Sequence, residues 1–460
     1  MAFAKAKKAP VDMLNGSLWN KIILFALPLA ATSILQQLFN SADVAVVGQF
    51  SGSIALAAVG VNAPIINVLV NLFVGVSVGS NVLISRLLGA GEKNAVEKAV
   101  HTSVFISIIF GFFVGALGFF LARPFLVLLN TQSDIIDLAT LYLKIYFSGM
   151  PFIMLYNFEN AIFRSKGDTR TPLLILVLSG LINVGLNIFF VAVCSMSVDG
   201  VALATVIANA FSAVTLIIIL MKSDDFTKVE IKKLRIDGIT LKQIVSIGIP
   251  AGLQSMVFSI SNLFMTSAMN SLGSMVVAAN TAAFYYDIYC FYVVDAFSQA
   301  AVSFIGQNYG AGQIERCHKI TKISIGLGAV AGAIVSAVFI IFPRFFLGLY
   351  TQDSEVIELA MIRMLVIVST VFVNIGYSTL SGALRVYGHS LVPSIITIFS
   401  VCGVRIAWLY TFFAADRRYF TLCLAWPASW LACNAAIVVA YVIYMKKDGR
   451  KASCFAIRNN

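Results

Sequence analysis

Twelve apolar runs, at 21–47, 54–83, 99–121, 136–158, 172–194, 199–221, 244–270, 275–305, 318–342, 356–380, 391–413 and 419–445, constrain this chain more than anything else in it. Each is at least as long as the roughly 20 residues that a helix needs to cross a bilayer. Backbone amides in hydrocarbon must find their partners inside the segment, and runs this continuous do not suit barrel strands, so each is expected to be a helix. Composition agrees: of 460 residues 59% are hydrophobic and only 12% charged, with mean hydropathy +0.91, whereas a soluble domain carries about a quarter charged residues. The expected fold class is an all-α integral membrane protein with twelve transmembrane helices in two six-helix bundles.

The charges are distributed by side. Arg86, Lys93 and Lys98 share one face of the membrane with Arg164, Lys166 and Arg170, with Lys222, Lys228, Lys232, Lys233 and Arg235, and with Arg316, Lys319, Lys446 and Lys447. The opposite loops hold fewer cations, among them Arg123, Arg344, Arg417 and Arg418, together with Asp134, Asp353 and Glu355. The positive-inside rule makes the first face cytoplasmic, with both termini on it. Lys5, Lys7 and Lys8 resemble a secretory n-region, but the run that follows is too long for an h-region and no A-x-A-like site succeeds it, so 21–47 is read as an uncleaved first span. The formal charge of +11 is thereby explained by topology, and without an aromatic-interleaved basic patch no nucleic-acid partner is expected. Seven Cys without a C-x-x-C and three scattered His suggest buried, reduced thiols, with no metal framework and no cofactor.

One polar loop is spelled twice. "RLLGAGEKNAVEKAV", Arg86 to Val100, is matched by "QNYGAGQIERCHKIT", Gln307 to Thr321; a shift of 221 residues carries Gly89, Ala90 and Gly91 onto Gly310, Ala311 and Gly312, and Lys98 onto Lys319. The same shift takes Arg164, Gly167 and Pro172 onto Arg385, Gly388 and Pro393, and one residue of slippage brings Pro28 to Pro250 and Asn40 to Asn262. Such self-similarity is internal duplication. The units expected are 1–222, a cytoplasmic linker at 223–243, and 244–460. Six helices per unit is an even number, so the copies are parallel repeats, the arrangement of alternating-access transporters. Tight turns at the duplicated loop account for its glycines.

Pro28 followed fifteen residues later by Asp43, then "GAGEKNAVEKAV", "FRSKGDTRTP", "INVGLNIFF", "VDGVALATVIANA" and "SFIGQNYGAG", make a pattern over essentially the whole chain. It resembles the multidrug and toxic compound extrusion (MATE) family, and within it the DinF-type bacterial and archaeal branch, because the acid lies in the first bundle. The resemblance implies a cation-coupled antiporter, driven by H⁺ or Na⁺, that exports amphipathic cationic organic molecules. It also implies a monomer in a bacterial or archaeal cytoplasmic membrane, with lipid and a small organic substrate as its partners.

Asp43 sits near the outer end of the first span, roughly 33 Å of helix rise from Lys21 at 1.5 Å per residue. That depth admits two readings, a solvated aspartate at the membrane surface or a cation-binding carboxylate inside the bundle. The resemblance favours the second and implies Asn157, Asn183, Asn187 and Thr205 as its polar neighbours. Asn183 and Asn187, four apart, share a helix face, and the set would make an oxygen-rich site for H⁺ or a hard cation such as Na⁺. The family position matching Asn187 is often aspartate, so this site has one carboxylate where relatives have two. Pro28 removes a backbone hydrogen bond and is read either as a hinge or as a static bend.

The second half lacks the acids of the NorM-like branch, with Phe258 and Asn374 in their places. It carries instead Asp287 and Asp295, eight apart and so on one side of the eighth helix, with Tyr292 between them and Arg405 in the eleventh span. Arg405 is expected to pair with one of the two aspartates, leaving a surplus negative charge among aromatic rings that would suit a cationic substrate. Glu159 is expected to form a local salt bridge with Arg164. A flippase for lipid-linked sugars is the alternative function, though such proteins often have fourteen spans and more cavity-lining cations. Nothing suggests an enzyme, since no nucleophile–base grouping occurs, nor a channel, since no filter repeat occurs.

Overall fold

The computed structural model describes residues 10–458, with side chains as far as Lys446. Lys5, Lys7, Lys8 and the side chain of Lys447, which entered the topology argument, lie outside the described residues. Among those described, eleven helices are long and apolar enough to span a membrane, and a bent pair makes a twelfth. In chain order we label them α1 (Leu18–Phe50), α2 (Gly52–Ala90), α3 (Lys93–Leu128), α4 (Ile136–Ser148 with Met150–Ser165), α5 (Arg170–Val193), α6 (Val198–Met221), α7 (Gly238–Asn270), α8 (Ser274–Gly310), α9 (Ile314–Ile341), α10 (Ser354–Val386), α11 (Leu391–Ala415) and α12 (Tyr419–Lys446). All twelve expected runs lie within these helices to within two residues at either end.

The outer surface is apolar, unlike that of a soluble domain, and the interior sets polar side chains among apolar core clusters. Phe120 and Leu128 are 76% and 77% exposed, whereas Asn62, Ser80, Ser85 and Asn187 are fully buried. Lipid tails make such exposure free of penalty, and a polar side chain inside gains a partner. Asn62 donates to the carbonyl of Ala139 at 3.2 Å, and Asn81 to that of Ala161 at 3.1 Å, so α2 is stitched to α4 at two levels. The 50° bend in α4 falls at Gly149, two residues before Pro151, where the proline leaves no N–H to continue the ladder. Pro28, by contrast, lies inside α1 without ending it.

The chain divides into two compact units. The first runs through Met256 and takes in Gly306–Ile314; the second comprises Val257–Ile305 and the chain from Glu315 onward. The division therefore falls inside α7, whereas the sequence repeat divides the chain before it. The reason is close packing: a Cβ added at Gly248 would collide with the backbone of Val76, and one at Gly252 with that of Leu72. Two helices that approach this closely behave as one piece.

Within the first unit the duplicated loops touch. Gly89 lies against the backbone of Gln307, and Gly310 against the carbonyl of Arg86, with no room for a side chain at either. The Arg86 guanidinium covers the ring of Tyr309 at 5.3 Å. Gly91 and Gly312 close the two helix ends with φ of +70° and +74°, a left-handed conformation that glycine adopts without steric cost. The linker after α6 is held down as well. Lys166 binds Asp225 at 3.2 Å, the His101 ring accepts the amide of Glu230 at 2.9 Å, and Lys233 pairs with Glu97 at 2.8 Å. Six cysteines are described and all are free; Cys194 is exposed, against the expectation of buried thiols, and the other five are buried.

Candidate functional site

Asp43 is 7% exposed, so the outer end of α1 turns this carboxylate inward and not toward open water. Asn187 of α5 donates its amide to Asp43 Oδ1 at 2.5 Å, and the Thr205 hydroxyl of α6 donates to Oδ2 at 3.2 Å. The second hydrogen of the Asn187 amide goes to Asn183 Oδ1 at 3.3 Å, one helical turn away. Asn187 is completely buried and its Oδ1 has no hydrogen-bond partner. A π-helical turn, Phe189–Val193, begins two residues beyond it, and wide turns of this kind re-aim the side chains beside them.

Three helices thus converge on one carboxylate with two donors, and among the described residues no cation pairs with it. The polar residues named from sequence divide: Asn183, Asn187 and Thr205 join Asp43, while Asn157 donates its amide at 2.8 Å to Ile153 of its own helix. Sequence reasoning missed the stacked rings of Tyr142 and Tyr146, 6.2 Å apart, which lie within electrostatic range of Asp43. Their spacing of four residues on α4 was the available signal. Glu159 does not form its expected salt bridge. It is fully buried and both carboxyl oxygens lack a hydrogen-bond partner, because five residues along a helix turn Arg164 roughly 140° away.

The second unit holds a cavity of about 310 Å³ whose lining includes Phe258, Asp287, Tyr292, Arg363, Arg405 and Trp426. Asp287 makes its ion pair with Arg363, through Nη2 and Oδ2, and not with Arg405. Arg363 also donates from Nη1 to Asn280 at 2.6 Å. Arg405 donates from Nε to Ser429 at 3.2 Å and from Nη1 to Asn262 at 3.0 Å, both neutral partners. The two guanidinium groups share one indole, lying 5.2 Å and 5.1 Å from the ring of Trp426. Asp295 is not among the described residues lining the cavity; Gln299 donates to it at 2.5 Å.

The expected pairing of Arg405 with an aspartate is therefore corrected, and with it the expected surplus of negative charge. Arg363 lies in the tenth span and reaches Asp287 first; the cavity lining carries two cations against one anion. A cation inside an apolar run was the signal that singled out Arg405, and the same signal applied to Arg363. Among the described residues no group of three or more His, Cys, Asp or Glu could hold a metal ion.

Membrane spans around an enclosed carboxylate in one unit and a charged, aromatic cavity in the other define a multi-pass membrane protein. The chain belongs to the MatE family of transporters: the family model described as MatE matches residues 28–189 and, again, residues 250–411. Both ends of the second match are displaced by 222 residues from the first, 28 to 250 and 189 to 411, which is the duplication read from the polar loops. A probable multidrug resistance protein of Bacillus subtilis, YoeA, is 26% identical over 398 residues, covering 85% of this chain and 86% of its own. The multidrug export protein MepA of Staphylococcus aureus is 24% identical over 425 residues, covering 92% and 93%. Among solved structures, an outward-facing multidrug resistance MATE family transporter of the MOP superfamily matches with TM-score 0.85 at 22% identity, over 98% of this chain and 99% of that one. A MATE crystal structure in the bent conformation matches with TM-score 0.86 at 22% identity, over 96% and 98%. These structural likenesses show the fold; the family shows a transporter and not an enzyme.

Proposed function

We propose that this chain is a secondary active exporter of amphipathic organic compounds, working by alternating access and driven by H⁺ or Na⁺ at Asp43. The observation that carries the reading is the buried Asp43 carboxylate with two donors, no counter-charge and an unpaired amide oxygen, Asn187 Oδ1, beside it. A buried charge without an opposite charge costs several kcal/mol, and an incoming cation removes that cost. The names of the relatives, multidrug resistance and multidrug export proteins, supply the class of cargo. The place of the acid in the first unit favours the DinF-type branch, and the cytoplasmic membrane with both termini inside follows from the distribution of cations.

The hydrogen bonds suggest how occupancy of this site alters packing. Thr205 has one hydroxyl hydrogen and two acceptors in range, Asp43 Oδ2 at 3.2 Å and the carbonyl of Val201 at 2.9 Å. Toward an ionised Asp43 it donates. Toward a protonated Asp43 it accepts, and its own hydrogen returns to Val201, so proton binding reverses the polarity of the α1–α6 contact. Na⁺ would draw on the carboxylate and on the amide oxygens of Asn183 and Asn187, ligands of the kind hard cations take. Either ion shifts the conformational equilibrium only by its differential affinity for the two states, so substrate and ion must favour opposite ones.

Transport by proteoliposomes under an imposed pH or Na⁺ gradient tests the reading. Asp43→Asn should insert normally and lose at least about tenfold in gradient-driven rate. A variant that follows the gradient as well as the parent would remove Asp43 from the coupling step.

A further inference from the structure

Arg405 raises a question that the ion site does not answer. It is 1% exposed in an apolar span, its charge cannot be shed, and no acidic group pairs with it among the described residues. Three observations show that the group is poised for a ligand. Its Nη2 has no hydrogen-bond partner, although Nε and Nη1 are occupied and hold the guanidinium plane fixed. It lines the 310 Å³ cavity. Among the described residues the only acid in that lining, Asp287, is already bound by Arg363, so one positive charge is left over.

The rest of the lining defines the body of the ligand. Phe258 and Trp426 cover the guanidinium at 5.0 Å and 5.1 Å, and Phe284, Phe291 and Trp430 extend the apolar wall. Asn374 adds a buried amide oxygen without a partner. At roughly 30 Å³ per water, the volume corresponds to about ten water molecules, the size of a bicyclic aromatic. We infer that the cavity of the second unit binds an amphipathic anion, an aromatic or acyl body bearing one carboxylate, sulfonate or phosphate, with its charged oxygens on Arg405 Nη2. This names the substrate class of the proposed exporter and rests on that reading. It also reverses the substrate charge expected from sequence. The guanidinium–oxyanion bond supplies the opposite charge the site lacks, and Trp426, against which both guanidinium groups lie, positions the ring.

Calorimetric titration of the full chain in phosphatidylcholine nanodiscs tests this, with 2-naphthalenesulfonate and its matched cation 2-naphthyltrimethylammonium as probes and empty nanodiscs as the partition control. The sulfonate should bind at least about tenfold more tightly than the cation, and Arg405→Gln should remove that preference while Arg405→Lys keeps part of it. Equal or tighter binding of the cation by the unaltered protein overturns the proposal without recourse to any variant. So does undiminished sulfonate affinity in folded Arg405→Gln. Including phosphatidylglycerol separates two sources of the same chemistry: competition identifies a lipid headgroup as the anion, and its absence a free solute. Ion-driven counterflow in vesicles of unaltered protein reads the exporter reading separately. Binding without counterflow would sink the exporter alone, and counterflow of cations without sulfonate binding would sink the anion site alone.

Discussion

Arg363 and Asp287 face each other inside a membrane, and breaking the pair costs more than the intact pair contributes. Removing one partner strands the other's charge, a loss of about 3–5 kcal/mol, whereas replacing both with apolar groups of similar volume is often neutral. Arg363→Met and Asp287→Leu should each lower the thermal unfolding midpoint sharply in detergent, and the double variant should regain most of it. Two losses that simply add would show that the pair is not coupled. The same charge logic explains what was readable here from letters alone. Asn183 and Asn187 announced a shared face by their spacing, and Asp43 announced an ionisable group by being an acid in a span. The identity of Arg405's neighbours could not be read, because Asn262 and Phe258 come from α7, Ser429 and Trp426 from α12, and only the packed chain brings them together. Arg363 was overlooked because it stands two turns from the polar end of its run, where a cation looks superficial.

At the scale of elements, hydropathy locates the part of a helix that meets lipid and is silent about what continues beyond it. The second run was expected at 54–83, yet α2 extends to Ala90, since nothing in "SRLLGA" stops a helix before Gly91. The run at 136–158 reads as one span, and the 50° bend of α4 at Gly149 was not foreseen, although Pro151 stands beside it. The linker after α6 is held by charge, and this sets its response to acid. Burial pushes the Asp225 carboxyl up, but the Thr227 hydroxyl, Lys166 and the Thr227 amide outweigh it and hold the group below its ordinary range. A depressed carboxyl contributes its full stability above the unfolded value, about 3.9, and loses it only as the pH falls through the lower folded value. Hydrogen exchange over 223–228, which leaves out the Glu230 amide held by the His101 ring, should, once corrected for the intrinsic pH effect, be constant from pH 7 to about 4 and rise below that. Asp225→Asn should show the faster exchange already at pH 7, and loosening of the parent near pH 6 would contradict the assignment.

Across the whole molecule, the repeat visible in the letters reappears as two copies of one family match and as matching left-handed turns at Gly91 and Gly312. What the letters did not disclose is that the two copies of the loop press on each other. A Cβ at Gly310 would strike the carbonyl of Arg86 and the amide of Ala90, backbone atoms with nowhere to go, whereas one at Gly326 meets open space. Gly310→Ala should therefore cost about 1–3 kcal/mol, while Gly326→Ala, inside α9, should gain up to about 1 kcal/mol. Thermal melts of the two purified variants, moving in opposite directions, check this; a shared direction would refute the close approach. Each spelling of that loop is the mould in which the other is cast. A chain that altered one copy by a single methyl group would spoil the seat of its twin, so the double spelling persists as a mechanical fit and not merely as a relic of ancestry.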